Sequence, residues 1–219
     1  MLVSHRKKFI YTKTVKTAGT SVESYFERYC MAEGEWEFTH HREQHVSVDG
    51  IIGARGPEAG SNEWYNHMPA VDIRNKVGQK SWDNYFKFCV IRNPFDRLVS
   101  MFFFRKEKGL IDIKGFVDPI EGFKEWITKG VPVPDREQYE VEGNVCIDYF
   151  IRYENIEEGI KFVCDKLAVP FEPARIPRLK AGIRDQAIDL RRFYSEEIIQ
   201  SVQKLYEFEI NEFGYDCPC

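Results

Sequence analysis

Short apolar runs along this chain alternate with longer stretches in which apolar residues recur every three or four positions. "KKFIYTK" (7–13) is aromatic and β-branched and predicts a buried strand. Past a polar loop, Val22, Tyr25, Phe26 and Tyr29 recur at helical spacing, with Thr20 or Ser21 placed to cap that helix. Residues 32–62 are polar and rich in Gly, Glu and His, and within them "VSVDGIIGA" offers a strand. "NHMPAVDIRNKVG" (66–78) reads as a loop leading into a short helix stopped at Gly78. "YFKFCVIR" (85–92) is the clearest buried strand. Asn93-Pro94 ends it and opens a helix over 95–109. Further helices are predicted over 119–130 and 156–169, with a strand at 147–155 between them. A long last helix is expected over 195–213, closed by Gly214. Strands alternating with helices imply a parallel sheet with helical crossovers. The expected architecture is one α/β domain spanning 1–219, a P-loop-like parallel β-sheet flanked by helices.

Composition narrows the function classes. With 15% aromatic residues, 17 Phe and 11 Tyr among them, the chain has the material for a packed core. The net charge is −4 with both signs dispersed, which disfavours a nucleic-acid binder. No apolar run approaches the ~18 residues needed to span a bilayer, and the N-terminus lacks the apolar core of a signal peptide. The expectation is a cytoplasmic protein, or else a catalytic domain trimmed from a lumenal enzyme. The six cysteines (30, 89, 146, 164, 217, 219) form no CxxC pair and read mostly as reduced core thiols.

Two stretches carry chemistry. Strand, then "KTVKTAGTS", then helix is an anion-binding arrangement. Ala18 and Gly19 let the backbone approach an oxyanion. The helix start offers N–H groups and a positive dipole end, and Thr17, Thr20 and Ser21 add hydroxyls. Lys16 adds a full charge, yet it stands before Ala-Gly-Thr-Ser, whereas a nucleoside-triphosphate P-loop ends in Gly-Lys-Ser/Thr. The second stretch is "VIRNPFDRLVS" (90–100). Arg92 ends a buried strand where open α/β sheets bind ligands, and Ser100 sits eight residues on, a fork donor and a hydroxyl suited to a second phosphate. Arg92 could equally pair with Asp96. No acidic residue ends a buried strand as a magnesium ligand would, since Asp148 precedes its strand and Glu154 follows it. Two oxyanion pockets without a metal point to a ligand with phosphates at both ends of a ribose.

"VKTAGTS", "NHMPAVDIR", "YFKFCVIRNPFDRLVSMFFF", "IRYENIEEGIKFVCDKL" and "KLYEFEINEFGY" resemble, in order, the sulfotransferase superfamily. The likeness runs from about residue 8 to residue 215 and is greatest to the carbohydrate-type branch with heparan-sulfate 2-O- and chondroitin-type enzymes. The resemblance implies the donor 3′-phosphoadenosine 5′-phosphosulfate (PAPS) and no metal. It places the 5′-phosphosulfate on Lys16, Thr17, Ala18, Gly19, Thr20 and Ser21, and the 3′-phosphate on Arg92 and Ser100. In that family a loop near 174–192 closes over the nucleotide, which makes Lys180 and Arg184 the expected contacts. This chain reads Lys-Ala-Gly there where the family often shows Asn-Lys and a hydroxyl residue, and it has Val15 where the family usually has proline.

Sulfuryl transfer to a hydroxyl builds charge on the bridging oxygen, which the Lys16 ammonium would stabilise, and it calls for a general base. His67 is the candidate, matching a histidine common in this branch; the alternative is a histidine that only caps the next helix. Glu63 is the backup base, or the group that orients the imidazole. His40, His41 and His45 fall in a polar loop without a convincing metal set, and segments 32–66 and 105–145 fall where an acceptor would bind. The partner expected is a hydroxyl-bearing acceptor, a glycan before a small phenol or steroid. The rival readings are a P-loop nucleotide kinase and a nucleotide-binding homologue without turnover.

Overall fold

The computed structural model describes residues 1–111, 115, 118–177 and 189–218. Its strands are β1 (Leu2–Ser4), β2 (Phe9–Tyr11), β3 (His45–Val46), β4 (Gly50–Ile52), β5 (Phe86–Ile91), β6 (Glu140–Val141), β7 (Asn144–Val145) and β8 (Tyr149–Arg152). Its helices are α1 (Gly19–Phe26), α2 (Ala70–Val77), α3 (Gln79–Asn84), α4 (Pro94–Glu107), α5 (Pro119–Thr128), α6 (Ile156–Lys166), α7 (Glu196–Leu205) and α8 (Glu207–Phe213). They divide between two compact units, Met1–Ile91 with Asp135–Leu179, and Arg92–Pro134 with Lys180–Cys219.

The first unit is a mixed sheet flanked by helices. Its strand order is β3-β4-β1-β2-β5-β8, with β6 and β7 forming a separate hairpin. Among the described strands β2, β5 and β8 run parallel, in the register Phe9↔Phe86 and Val90↔Ile151; β1, β4 and β3 are antiparallel, with Leu2↔Tyr11 and Leu2↔Ile52. The expected all-parallel sheet is thus corrected to a mixed one. The link from β1 to β2, residues 5–8, is far too short for the crossover that parallel pairing demands.

Both sheet faces are covered, which is why the central strands read as unbroken apolar runs. Side chains of β2 alternate: Phe9 and Tyr11 pack with Val22 and Phe26 of α1 and Ile160 and Val163 of α6, whereas Ile10 packs with Met68, Ile73 and Trp82. Gly159 allows α6 to press on β8, because a Cβ there would lie 2.6 Å from Ile151 Cγ2. Cys30, Cys89 and Cys164 are buried free thiols, Cys146 is a half-buried one, and Cys217 is disulfide-bonded.

The second unit is helical. Asx-Pro pairs start two of its helices, α4 and α5: Asn93 accepts from Phe95 N at 3.0 Å ahead of Pro94, and Asp118 accepts from Ile120 N at 2.9 Å ahead of Pro119. Phe102, Phe123, Trp126, Phe193 and Tyr194 form its aromatic core. The single last helix expected over 195–213 is broken at Tyr206 into α7 and α8. The buried Tyr206 hydroxyl donates to Pro132 O at 2.6 Å and accepts from Arg97 Nη1 at 3.3 Å, so tertiary bonds fix its non-helical backbone. Gly214 ends α8 with φ 61°, as a C′ glycine should. Among the described residues no helix is long and apolar enough to cross a membrane.

Candidate active site

β2 delivers the chain into a buried, internally braced loop. Thr12 N still bonds Phe88 O of β5 at 3.1 Å, so the loop leaves directly from the parallel part of the sheet. Thr14 donates its hydroxyl proton to Val90 O, and Thr17 therefore donates in the 2.8 Å Thr14–Thr17 hydroxyl pair. Val15 N–H donates to Asp135 Oδ2 at 2.6 Å. Lys16 and Ala18 then take left-handed backbone angles, φ 62° and 58°. Left-handed backbone in non-glycine residues costs of order 1–3 kcal/mol and is characteristic of anion nests and ligand clamps.

The helix begins two or three residues earlier than its hydroxyls suggest. Ala18 is the N-cap of α1, with no side-chain cap bond, so neither Thr20 nor Ser21 caps the helix; Ser21 is buried and Thr20 half-buried within the first turn. The first turn of α1 presents its positive dipole end to the loop, and within it Ser21 N–H is bonded to the Ala18 carbonyl at 2.9 Å. Gly19 is needed for a close approach: an added Cβ would lie 3.0 Å from both Lys13 Cγ and the Tyr11 hydroxyl.

His67 is tied to the same loop. Its Nδ1 lies 2.9 Å from the Lys13 carbonyl oxygen. A carbonyl can only accept, so Nδ1 carries the proton and Nε2 is the basic nitrogen. Gln138 Nε2 donates to the His67 carbonyl at 3.1 Å, and His67 itself is left-handed at φ 59°. Burial, then the Lys13 charge, pushes the imidazole pKa down to about 4, leaving it neutral at pH 7. Glu63, expected as an alternative partner of His67, instead pairs with Lys76 at 3.3 Å. The histidine opens no helix either: α2 starts after Pro69 with no side-chain cap bond.

Behind the loop lies a buried ionic cluster. Glu23 takes Lys13 Nζ at 2.6 Å and Arg55 Nη1 at 2.7 Å on one oxygen, and the Met1 amino group at 2.7 Å on the other. Arg55 also bonds Glu27, and Arg42 Nε reaches Glu27 at 3.3 Å. Burial pushes the Glu23 pKa up, but Lys13, the amino group and Arg55 outweigh it and hold the carboxyl well below the usual range. Sequence reasoning missed Lys13, Glu23, Arg55, Asp135 and Gln138, because their pairings join residues 10 to 120 positions apart. The only signal for Lys13 and Glu23 was two charges bracketing the glycine-containing turn.

The other predicted residues stand as follows. Arg92, in the second unit, pairs with Asp96 through Nε at 2.7 Å and Nη2 at 2.6 Å, the partnership its spacing left open, and Ser100 is half-buried within α4. Lys180 and Arg184 lie outside the described residues. His40 and His41 face each other with ring centroids 5.1 Å apart, and His45 Nε2 meets Ser47 Oγ at 3.1 Å. Among the described residues no group of three or more His, Cys, Asp or Glu is disposed to hold a metal ion. In the first unit a polar cleft of about 750 Å³ is lined by His41, Arg42, Gln44, Arg55, Glu58 and Asn62.

A model of the sulfotransferase family matches residues 1–216, nearly the whole chain. The chain belongs to the sulfotransferase family. The carbohydrate-type likeness of its motifs fits that family, and membership implies sulfuryl transfer from a sulfate donor to an acceptor. A protein of Archaeoglobus fulgidus, described only as uncharacterized, is 34% identical over 108 residues, which is 48% of this chain and 86% of that protein. No solved structure matches the chain.

Proposed function

We propose that this sulfotransferase uses PAPS as donor and a carbohydrate hydroxyl as acceptor, with Lys16 stabilising the leaving group and His67 as general base. PAPS would bring an activated sulfuryl group on a phosphate leaving group and, at the far side of its ribose, a 3′-phosphate. The observation that carries the reading is the braced loop: Lys16 and Ala18 are left-handed immediately before α1, and a neutral histidine is bonded to the same loop backbone. This suits an oxyanion cradle with a base close in the fold. Lys16 through Ser21 would hold the 5′ side by backbone N–H groups, the Lys16 ammonium and the Thr20 and Ser21 hydroxyls, Ser21 through its hydroxyl since its N–H is on the Ala18 carbonyl. Thr17 would contribute through its backbone, since its hydroxyl proton is engaged with Thr14. Arg92 and Ser100 would take the 3′-phosphate, Arg92 exchanging part of its bond to Asp96 for the ligand.

At the acceptor, His67 Nε2 would take the hydroxyl proton while Nδ1–H stays on the Lys13 carbonyl. A saccharide is preferred over an apolar phenol because the motifs resemble the carbohydrate-type branch of the family.

Lys16→Ala is the experiment that tests the reading. Turnover should fall by on the order of 10²- to 10³-fold, the cost of removing one oxyanion donor. Affinity for adenosine 3′,5′-bisphosphate, which lacks the sulfuryl group, should change only a few-fold. Arg92→Ala should do the reverse, weakening the bisphosphate by about 1.5–3 kcal/mol for a lost charged hydrogen bond. Equal losses of binding in both variants would contradict these roles.

A further inference from the structure

We propose that Glu23 is a positioning residue for the reaction: by clamping Lys13 beneath the loop, it keeps the Lys13 carbonyl on His67 Nδ1–H and so holds the imidazole with Nε2 as its basic nitrogen. Glu23 lies inside α1 and is fully buried, so its carboxylate acts from behind the loop. Lys13 is held at both ends of its side chain. Its ammonium is 2.6 Å from Glu23 Oε2, and its stem is packed against Gly19, where the space for a Cβ is closed by Lys13 Cγ at 3.0 Å and Cε at 3.3 Å. With head and stem fixed, little freedom remains for the Lys13 peptide, and its carbonyl is the partner of His67 Nδ1 at 2.9 Å. Arg55 on the same Glu23 oxygen fixes the carboxylate in turn, and the Glu27 carboxylate fixes Arg55. The charged groups acting on His67 are Lys13, the Met1 amino group and Glu23, so the cluster sets the charge around the ring as well as its acceptor. For stability alone, apolar side chains of like volume could replace a buried ionic cluster. A fixed tautomer at the base needs this one.

The inference rests on the reading of His67 as the base, but its first test requires neither donor nor acceptor. Nitrogen-15 NMR of the imidazole in the intact chain should show one tautomer, protonated at Nδ1. In Glu23→Gln the ring should lose that single tautomer, and turnover should fall by on the order of 10²-fold, at the lower end of what a general base supplies, with affinity for adenosine 3′,5′-bisphosphate retained. Should Glu23→Gln fail to fold, Lys13→Met, which leaves Glu23 paired to Arg55, carries the same expectation. A folded single variant that keeps the Nδ1-protonated tautomer would overturn the proposal. Failure of the wild-type protein to bind the bisphosphate would instead count against the donor reading and leave the tautomer result standing.

Discussion

Replacing His67 with alanine should lower turnover by on the order of 10²- to 10⁴-fold, the contribution of a placed general base, while affinity for the bisphosphate changes little. The geometry dictates the direction. Nδ1 is committed to the Lys13 carbonyl, so the ring has one basic nitrogen, and its pKa of about 4 keeps that nitrogen unprotonated at neutral pH. The acid limb of kcat/KM, which reports the free enzyme, should lie near pH 4 and not near the ordinary imidazole value of 6.5. Stability follows with the same sign. The folded pKa lies below the unfolded one, so the unfolded chain binds the proton first, and stability is lost as pH falls from about 6.5 through 4. The full loss across that window is on the order of 3 kcal/mol. His67→Ala should remove this part of the pH dependence, which denaturant titrations at pH 7 and pH 4.5 measure. An acid limb near 6.5 would contradict the assigned environment of the ring.

Arg55→Leu should destabilise the first unit by about 3–5 kcal/mol, the cost of breaking a buried ion pair from one side. Arg55 bridges Glu23 and Glu27, whose side chains are fully buried, and it also donates to the carbonyls of His40 at 2.8 Å and Thr39 at 2.7 Å. Leucine fills part of the volume but leaves Glu23 to Lys13 and the Met1 amino group, and Glu27 to Arg42 and the indole N–H of Trp36 at 3.2 Å. The loss should therefore fall on the 37–42 segment as well as on α1. Chemical denaturation gives the stability and hydrogen exchange gives the location. A loss under about 1 kcal/mol would mean the cluster behaves like an exposed ion pair.

The parts of the fold legible in the sequence are those with strong local signals. β5 is an unbroken apolar run ended by Asn93-Pro94, and α4 and α5 start where Asx-Pro pairs say they should. β1 and α3 were missed: the first is three residues long and the second six, too short for a period to show. The break at Tyr206 goes with tertiary contacts, its hydroxyl bonds to Pro132 and Arg97, which lie far from it in sequence. The site divides along the same line. The glycine-containing loop and its lysine stand out because phosphate cradles have a local pattern. The left-handed angles at Lys16 and Ala18 break local propensity, which is where sequence rules are expected to fail at functional sites. The partner of His67 is a backbone carbonyl, an acceptor every residue carries, so no side-chain pattern could announce it. Glu23, Glu27 and Arg55 read as surface charges until the fold buries them together.

The most direct test of the account is calorimetric titration of the protein with adenosine 3′,5′-bisphosphate beside ATP and magnesium. The account predicts micromolar or tighter binding of the bisphosphate without metal, clearly preferred over magnesium-ATP. Preference for magnesium-ATP, or binding of neither, would contradict it.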